Sequence, residues 1–229
     1  MSLFALASSQ AFAAYDVSGI QVGSPLAEQK AAITKINPSY RFSDMIYSTG
    51  KIVGVHAVAQ KNGVPVDQFL AMQDDSGIVW LAARSQVLEK GERIKPDVFL
   101  NSLLEKYGPY TGLRGLSPFS KDEPMWQFDR QGNLYRGPVF QGPCWNIGTM
   151  QPIDGDFIVV PHTPNEKCGT VILVATLKDK IDGMILKFSV EIVDIKRMYD
   201  EVNAKASAAE SKRQQQLDIE KSRNIKPKL

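Results

Sequence analysis

Two stretches of this chain start and stop alike, 71 residues apart. In the first, Ser24-Pro25 opens a run in which Leu26, Ile33 and Ile36 share a helical face, and Asn37-Pro38 stops it. In the second, Pro96 opens a run carrying Val98, Leu100, Leu103, Leu104 and Tyr107, and Gly108-Pro109 stops it. Proline suits a first helical turn because the N–H it lacks would have no intrahelical partner there, and glycine or proline past the last turn ends the run. Pro25 answers Pro96, Ile33 answers Leu104, Lys35 answers Lys106 and Pro38 answers Pro109 at the one offset. Either an internal duplication or convergent helix punctuation accounts for the match.

Each predicted helix is followed by short apolar runs separated by turn dipeptides. After the first come Tyr40 to Ser48, Ile52 to Ala59, the turn Lys61-Asn62-Gly63, Phe69 to Met72, the turn Asp74-Asp75-Ser76-Gly77, and Ile78 to Leu81. After the second come Met125 to Asp129, the turn Arg130-Gln131-Gly132-Asn133, Leu134-Tyr135, then Gly169 to Leu177 and Met184 to Val193 around Asp182-Gly183. Such turns make hairpins and leave no room for a parallel crossover, so the reading is α+β, helices packed on antiparallel sheet. The predicted division is a signal peptide over 1–13, one helix-plus-strands half over 14–90, a second over 91–194, and a C-terminal helix with a polar tail over 195–229. In the last segment Asp194 caps a helix whose apolar stripe is Ile195, Met198, Tyr199 and Val202. Beyond it the composition turns to Ala, Ser, Gln and charge, net +4 from Asn203 onward, which predicts solvated helix or disorder.

Composition narrows the function classes. With 229 residues, 43% of them hydrophobic, the chain can bury a core. Lys+Arg 27 against Asp+Glu 25 leaves only +2, no basis for a nucleic-acid binder, whose affinity rests on clustered cations. No apolar run reaches the roughly 18 residues of a membrane-spanning helix.

The opening predicts export. Leu3 to Ala7 is apolar and Ala11-Phe12-Ala13 presents small residues where a signal peptidase cleaves, although no cationic residue precedes Lys30. The two cysteines, Cys144 and Cys168, fit that compartment as a disulfide. A metal site formed by both with His162 lacks a fourth ligand and the paired spacing that zinc sites use.

Little of the chain reads as catalytic machinery. His56 alternates with Val55 and Ala57 as a strand histidine would, and His162 sits in a loop near Asp154 and Asp156, the set a hydrolase would have to use. Gln141-Gly142-Pro143-Cys144-Trp145 resembles the nucleophile segment of papain-like proteases, but Gly148 and Pro152 forbid the long helix that lowers the thiol pKa in that family. No phosphate loop, dinucleotide fingerprint or metalloprotease motif occurs, and no cofactor is implied. Trp126, Tyr135, Arg136 and Trp145 stand out instead, since aromatic and arginine side chains dominate protein-binding patches. A small core under a long loop explains the aromatics as well.

Several short motifs carry a resemblance spanning about residues 19 to 194. They are Gly19-Ile20-Gln21-Val22-Gly23, Ser76-Gly77-Ile78-Val79 followed by Arg84, Leu103 to Pro109, Trp126 to Gly132, and Cys168-Gly169. Together they resemble exported bacterial proteins of unknown function, and are similar to envelope domains of the β-lactamase-inhibitor-protein and outer-membrane-assembly-lipoprotein type. The resemblance implies helices on an antiparallel sheet, a periplasmic or secreted location, and binding to another envelope or secreted protein rather than catalysis. The lipobox cysteine of the lipoproteins is missing, and the resemblance carries over no functional residues.

Overall fold

In the computed structural model, residues 15–46, 49–114, 123–145, 147, 151–152, 158–161 and 165–222 are described. In chain order the elements are β1 (Asp16–Val17), β2 (Ile20–Gln21), α1 (Leu26–Ile36), β3 (Arg41–Ile46), β4 (Ile52–Lys61), β5 (Val64–Gln73) and β6 (Val79–Val87). They continue with α2 (Pro96–Tyr107), β7 (Gly112–Arg114), β8 (Glu123–Asp129), β9 (Gln151–Pro152), β10 (Val159–Val160), β11 (Cys168–Lys178), β12 (Ile185–Asp194) and α3 (Ile195–Ser222). The architecture is α+β. Eight antiparallel strands form one sheet in the order β3-β4-β5-β6-β12-β11-β8-β7, with β1-β2 and β9-β10 as small separate pairs.

That order runs one way through the first half and the reverse way through the second. The two last strands, β6 and β12, meet at the centre with Ser85 opposite Ser189. The halves of the sequence are therefore halves of one continuous sheet. The offset of 71 also extends past the helices: Arg41 begins β3 as Gly112 begins β7, and Ile52 begins β4 as Glu123 begins β8. It then fails, because β4 turns directly into β5 through Asn62 and Gly63, both at positive φ, the backbone that a two-residue hairpin turn demands. Between β8 and β11 the chain instead runs from Arg130 to Lys167, an insertion without counterpart in the first half.

Period-two alternation sorts the side chains onto two faces. One face carries Val55, Ala57, Phe69, Ala71, Trp126, Ile172 and Ile192, and packs against Leu26 and Ile33 of α1, Leu103 and Tyr107 of α2, and Val17 and Ile20 of the β1-β2 hairpin. Arg84 lies on this face as a bidentate partner of Asp67, Nε to Oδ1 3.0 Å and Nη2 to Oδ2 2.6 Å, with its guanidinium over the Phe69 ring. The opposite face carries Leu70, Met72, Leu81, Met125, Leu173 and Val193, and is covered by Cys144, Ile147 and Ile158 of the insertion and by Ile195 at the root of α3.

Helix α3 begins where expected. Asp194 Oδ1 accepts the Arg197 backbone N–H at 2.9 Å, a side-chain cap. The polar stretch predicted as solvated helix or disorder is helical to Ser222, about 42 Å in all at the usual rise. Ile195 is its one buried residue, and from Val202 onward nearly every position is exposed. No described helix is long and apolar enough to cross a membrane.

Candidate interaction surface

The insertion is fastened first at its base. Cys144 is disulfide-bonded to Cys168, the first residue of β11, and both are fully buried. Beside them Gln127, a buried glutamine of β8, uses both ends of its amide: Nε2 donates to Val139 O at 2.6 Å and Oε1 accepts from Cys144 N at 2.9 Å. A Cβ at Gly142 would stand 2.2 Å from that Oε1, so a larger residue there must displace the Gln127 amide and the two hydrogen bonds it makes.

From this base the insertion runs along β7, an edge strand of the large sheet. Thr111 Oγ1 donates to Tyr135 O at 3.0 Å, the bare Cα of Gly112 faces Val139, and the Arg114 guanidinium lies 5.2 Å from the centre of the Trp145 ring. Gly112 and Arg114, two apart on β7, face the same side of the sheet, so Val139 and Trp145 cover that face where the sheet ends. Burial lowers the Arg114 pKa, and the Glu191 carboxylate opposes that shift. Arg136 and Phe140 point to solvent, Phe140 with 59% of its surface exposed, while Tyr135 and Trp145 are half-buried.

The sequence-predicted patch is thus divided. Tyr135, Arg136 and Trp145 share the insertion, but Trp126 does not join them at the surface. It is fully buried on the helix-bearing face, where its Nε1 donates to Gly108 O at 2.9 Å and its ring meets Tyr107 and Tyr110 edge-on. A side chain with no exposed surface serves the core, and burial of the indole N–H is tolerable because it is bonded. Arg114 is a part of this surface that the sequence reading missed. Its strand has three residues, too few to show an alternation.

Other candidates are located as follows. The disulfide consumes the Cys144 thiol, so the papain-like reading has no nucleophile. His56 lies in β4 with Nε2 2.9 Å from Gln68 Oε1. His162, Asp154 and Asp156, the set for a hydrolase, lie outside the described residues, as does the predicted signal peptide over 1–13. Among the described residues no group of three or more His, Cys, Asp or Glu is placed to hold a metal ion. No protein-family model, curated protein or solved structure matches this chain.

Proposed function

We propose that this chain is an exported, non-catalytic interaction module of the bacterial cell envelope, inhibitor-like in that it acts by occupying another protein's surface. One observation carries the reading: a disulfide-fastened insertion holds Arg136 and Phe140 out to solvent beside a Trp145 stacked under Arg114. Aromatic and arginine anchors supply most of the energy in protein interfaces, and anchors already held in place lose less freedom on binding. The disulfide also supports a periplasmic or secreted location, because such bonds persist in oxidising compartments.

The test is capture of partners from an envelope extract by the wild-type chain and by the double variant Arg136→Ala, Trp145→Ala. Loss of hot-spot side chains should weaken capture by about 2 kcal/mol or more, roughly thirtyfold. Near-UV circular dichroism must show the variant folded. Equal capture by a folded double variant would defeat the proposal. Turnover of a hydrolase substrate that disappears with His162→Ala would replace it.

A further inference from the structure

A cavity of about 350 Å³ opens on the other side of the insertion's root. Its walls come from the N-terminal segment (Tyr15, Gly23), the β8 turn (Arg130, Gly132), the start of β11 (Gly169, Thr170) and the first turn of α3 (Lys196, Arg197). The N-terminal segment, the second half of the sheet and the root of α3 therefore meet at this one place.

The charges around it are unevenly satisfied. Arg197 is engaged with Asp74 at 2.8 Å and lies near Asp194, which caps α3. The Asp129 carboxylate is taken up by its own turn, accepting from the backbone N–H of Gln131 and Asn133 and from Asn133 Nδ2. That leaves Arg130 and Lys196, both of which line the cavity. They share a single carboxylate, Asp200, with Arg130 Nη2 to Oδ1 at 2.5 Å and Lys196 Nζ to Oδ2 at 2.7 Å. Asp200 is not among the cavity walls; it stands in the adjoining depression beside Asp74 and Glu201. The walls thus carry Arg130, Lys196 and Arg197 together with the carboxylates of Asp129, bonded within its own turn, and Asp194, the cap of α3, while Asp200 holds Arg130 and Lys196 from outside the cavity. Arg130 is also braced, its guanidinium lying 5.4 Å from the Tyr199 ring centre.

We propose that this cavity binds a small phosphate-bearing molecule, with Arg130 and Lys196 as its charged contacts and Asp200 as the internal competitor for them. A guanidinium paired with an ammonium matches the oxygens of a phosphate dianion, and Tyr15 and Thr170 line the same walls. The volume exceeds what inorganic phosphate needs and leaves room for a short carbon skeleton over Val22 and the Tyr15 ring. This site is independent of the insertion's exposed aromatics.

The decisive experiment titrates the full chain with inorganic phosphate and with glycerol phosphate at constant ionic strength. Sodium chloride and acetate serve as controls, and the backbone amide resonances of Gly132, Gly169 and Thr170 are followed by NMR. Saturable shifts with the phosphates alone are expected, and Arg130→Gln should abolish them. Asp200→Asn, which frees both cations, should tighten binding about threefold, the size of a lost exposed ion pair. A purely structural role for the network predicts no tightening, so the Asp200 variant decides the matter even if Arg130→Gln perturbs the fold. Shifts that match those from chloride or acetate, or an affinity that Asp200→Asn leaves unchanged, would overturn the proposal.

Discussion

Gln127 and Cys144 are joined across the base of the insertion by a 2.9 Å hydrogen bond from the Cys144 amide to the glutamine's side-chain oxygen, and the other end of the same amide holds Val139 O. One fully buried side chain thus satisfies two backbone groups that no strand partner reaches. Replacing it with alanine leaves both unsatisfied and opens a small void. Gln127→Ala should cost about 2–4 kcal/mol in urea unfolding. A loss under about 0.5 kcal/mol would mean that the insertion is held by something else.

The disulfide and this amide act on the same segment by different means. A covalent link between Cys144 and Cys168 restricts the unfolded chain, by about 3.5 kcal/mol for a loop of this length on the chain-entropy estimate. Denatured, unreduced protein should contain no titratable thiol, and Cys144→Ser with Cys168→Ser should lower the melting temperature. Two reactive thiols in protein recovered from an oxidising compartment would contradict the pairing.

Sequence made the helices and central strands legible because their signals are local. Pro96 and Gly108 bracket α2, and the Asn62-Gly63 turn names its own hairpin. The pairing of β6 with β12 was not legible, since strands about a hundred residues apart are chosen by which apolar faces fit, not by neighbouring residues. The same limit divided the candidate patch. Trp126 and Trp145 look alike in sequence, but the first alternates inward with Phe128 along β8 and the second follows the turn after Gln141. Arg114 acquires its part only when the insertion folds back along β7 and sets Trp145 against it.

Glycines in this fold divide into two kinds, and the difference is measurable. A Cβ at Gly169 would lie 2.0 Å from Asp129 O, at the irregularity where β11 bulges past the end of β8, so one of the two backbones must shift to admit it. Gly183, in the turn after β11, has open space around it and needs only its positive φ of 71°. Gly169→Ala should therefore destabilise by more than about 2 kcal/mol, and Gly183→Ala by about 1 kcal/mol. The reverse ranking in thermal or urea denaturation would show that the close approach at Gly169 is wrong.

Acid should loosen the root of α3 before it unfolds the sheet. Burial alone would raise the Asp74 pKa, but Ser76, Arg197 and the backbone N–H of Ile78 hold the carboxyl below its usual 3.8. Asp200 is likewise held low, with Lys196 and Arg130 outweighing its burial. A carboxylate whose folded pKa is depressed contributes stability that is complete above its unfolded value, about 3.9, and is lost as pH falls through the lower folded value. Asp194 has the opposite sign. Burial raises its pKa, against the Arg197 amide and nearby cations, so its protonation favours the fold as pH falls through the raised value. Hydrogen exchange of α3 amides should therefore stay slow from pH 7 to about pH 4 after correction for intrinsic rates, and protection should fall below that. Asp74→Asn should lower protection at neutral pH and flatten the acid decline, because the group that titrates is gone. Asp194→Asn can still cap the helix through its amide oxygen, and it should steepen the decline by removing the opposing contribution. Parallel pH profiles for wild type and both variants would show that these carboxylates do not set the stability of the α3 root.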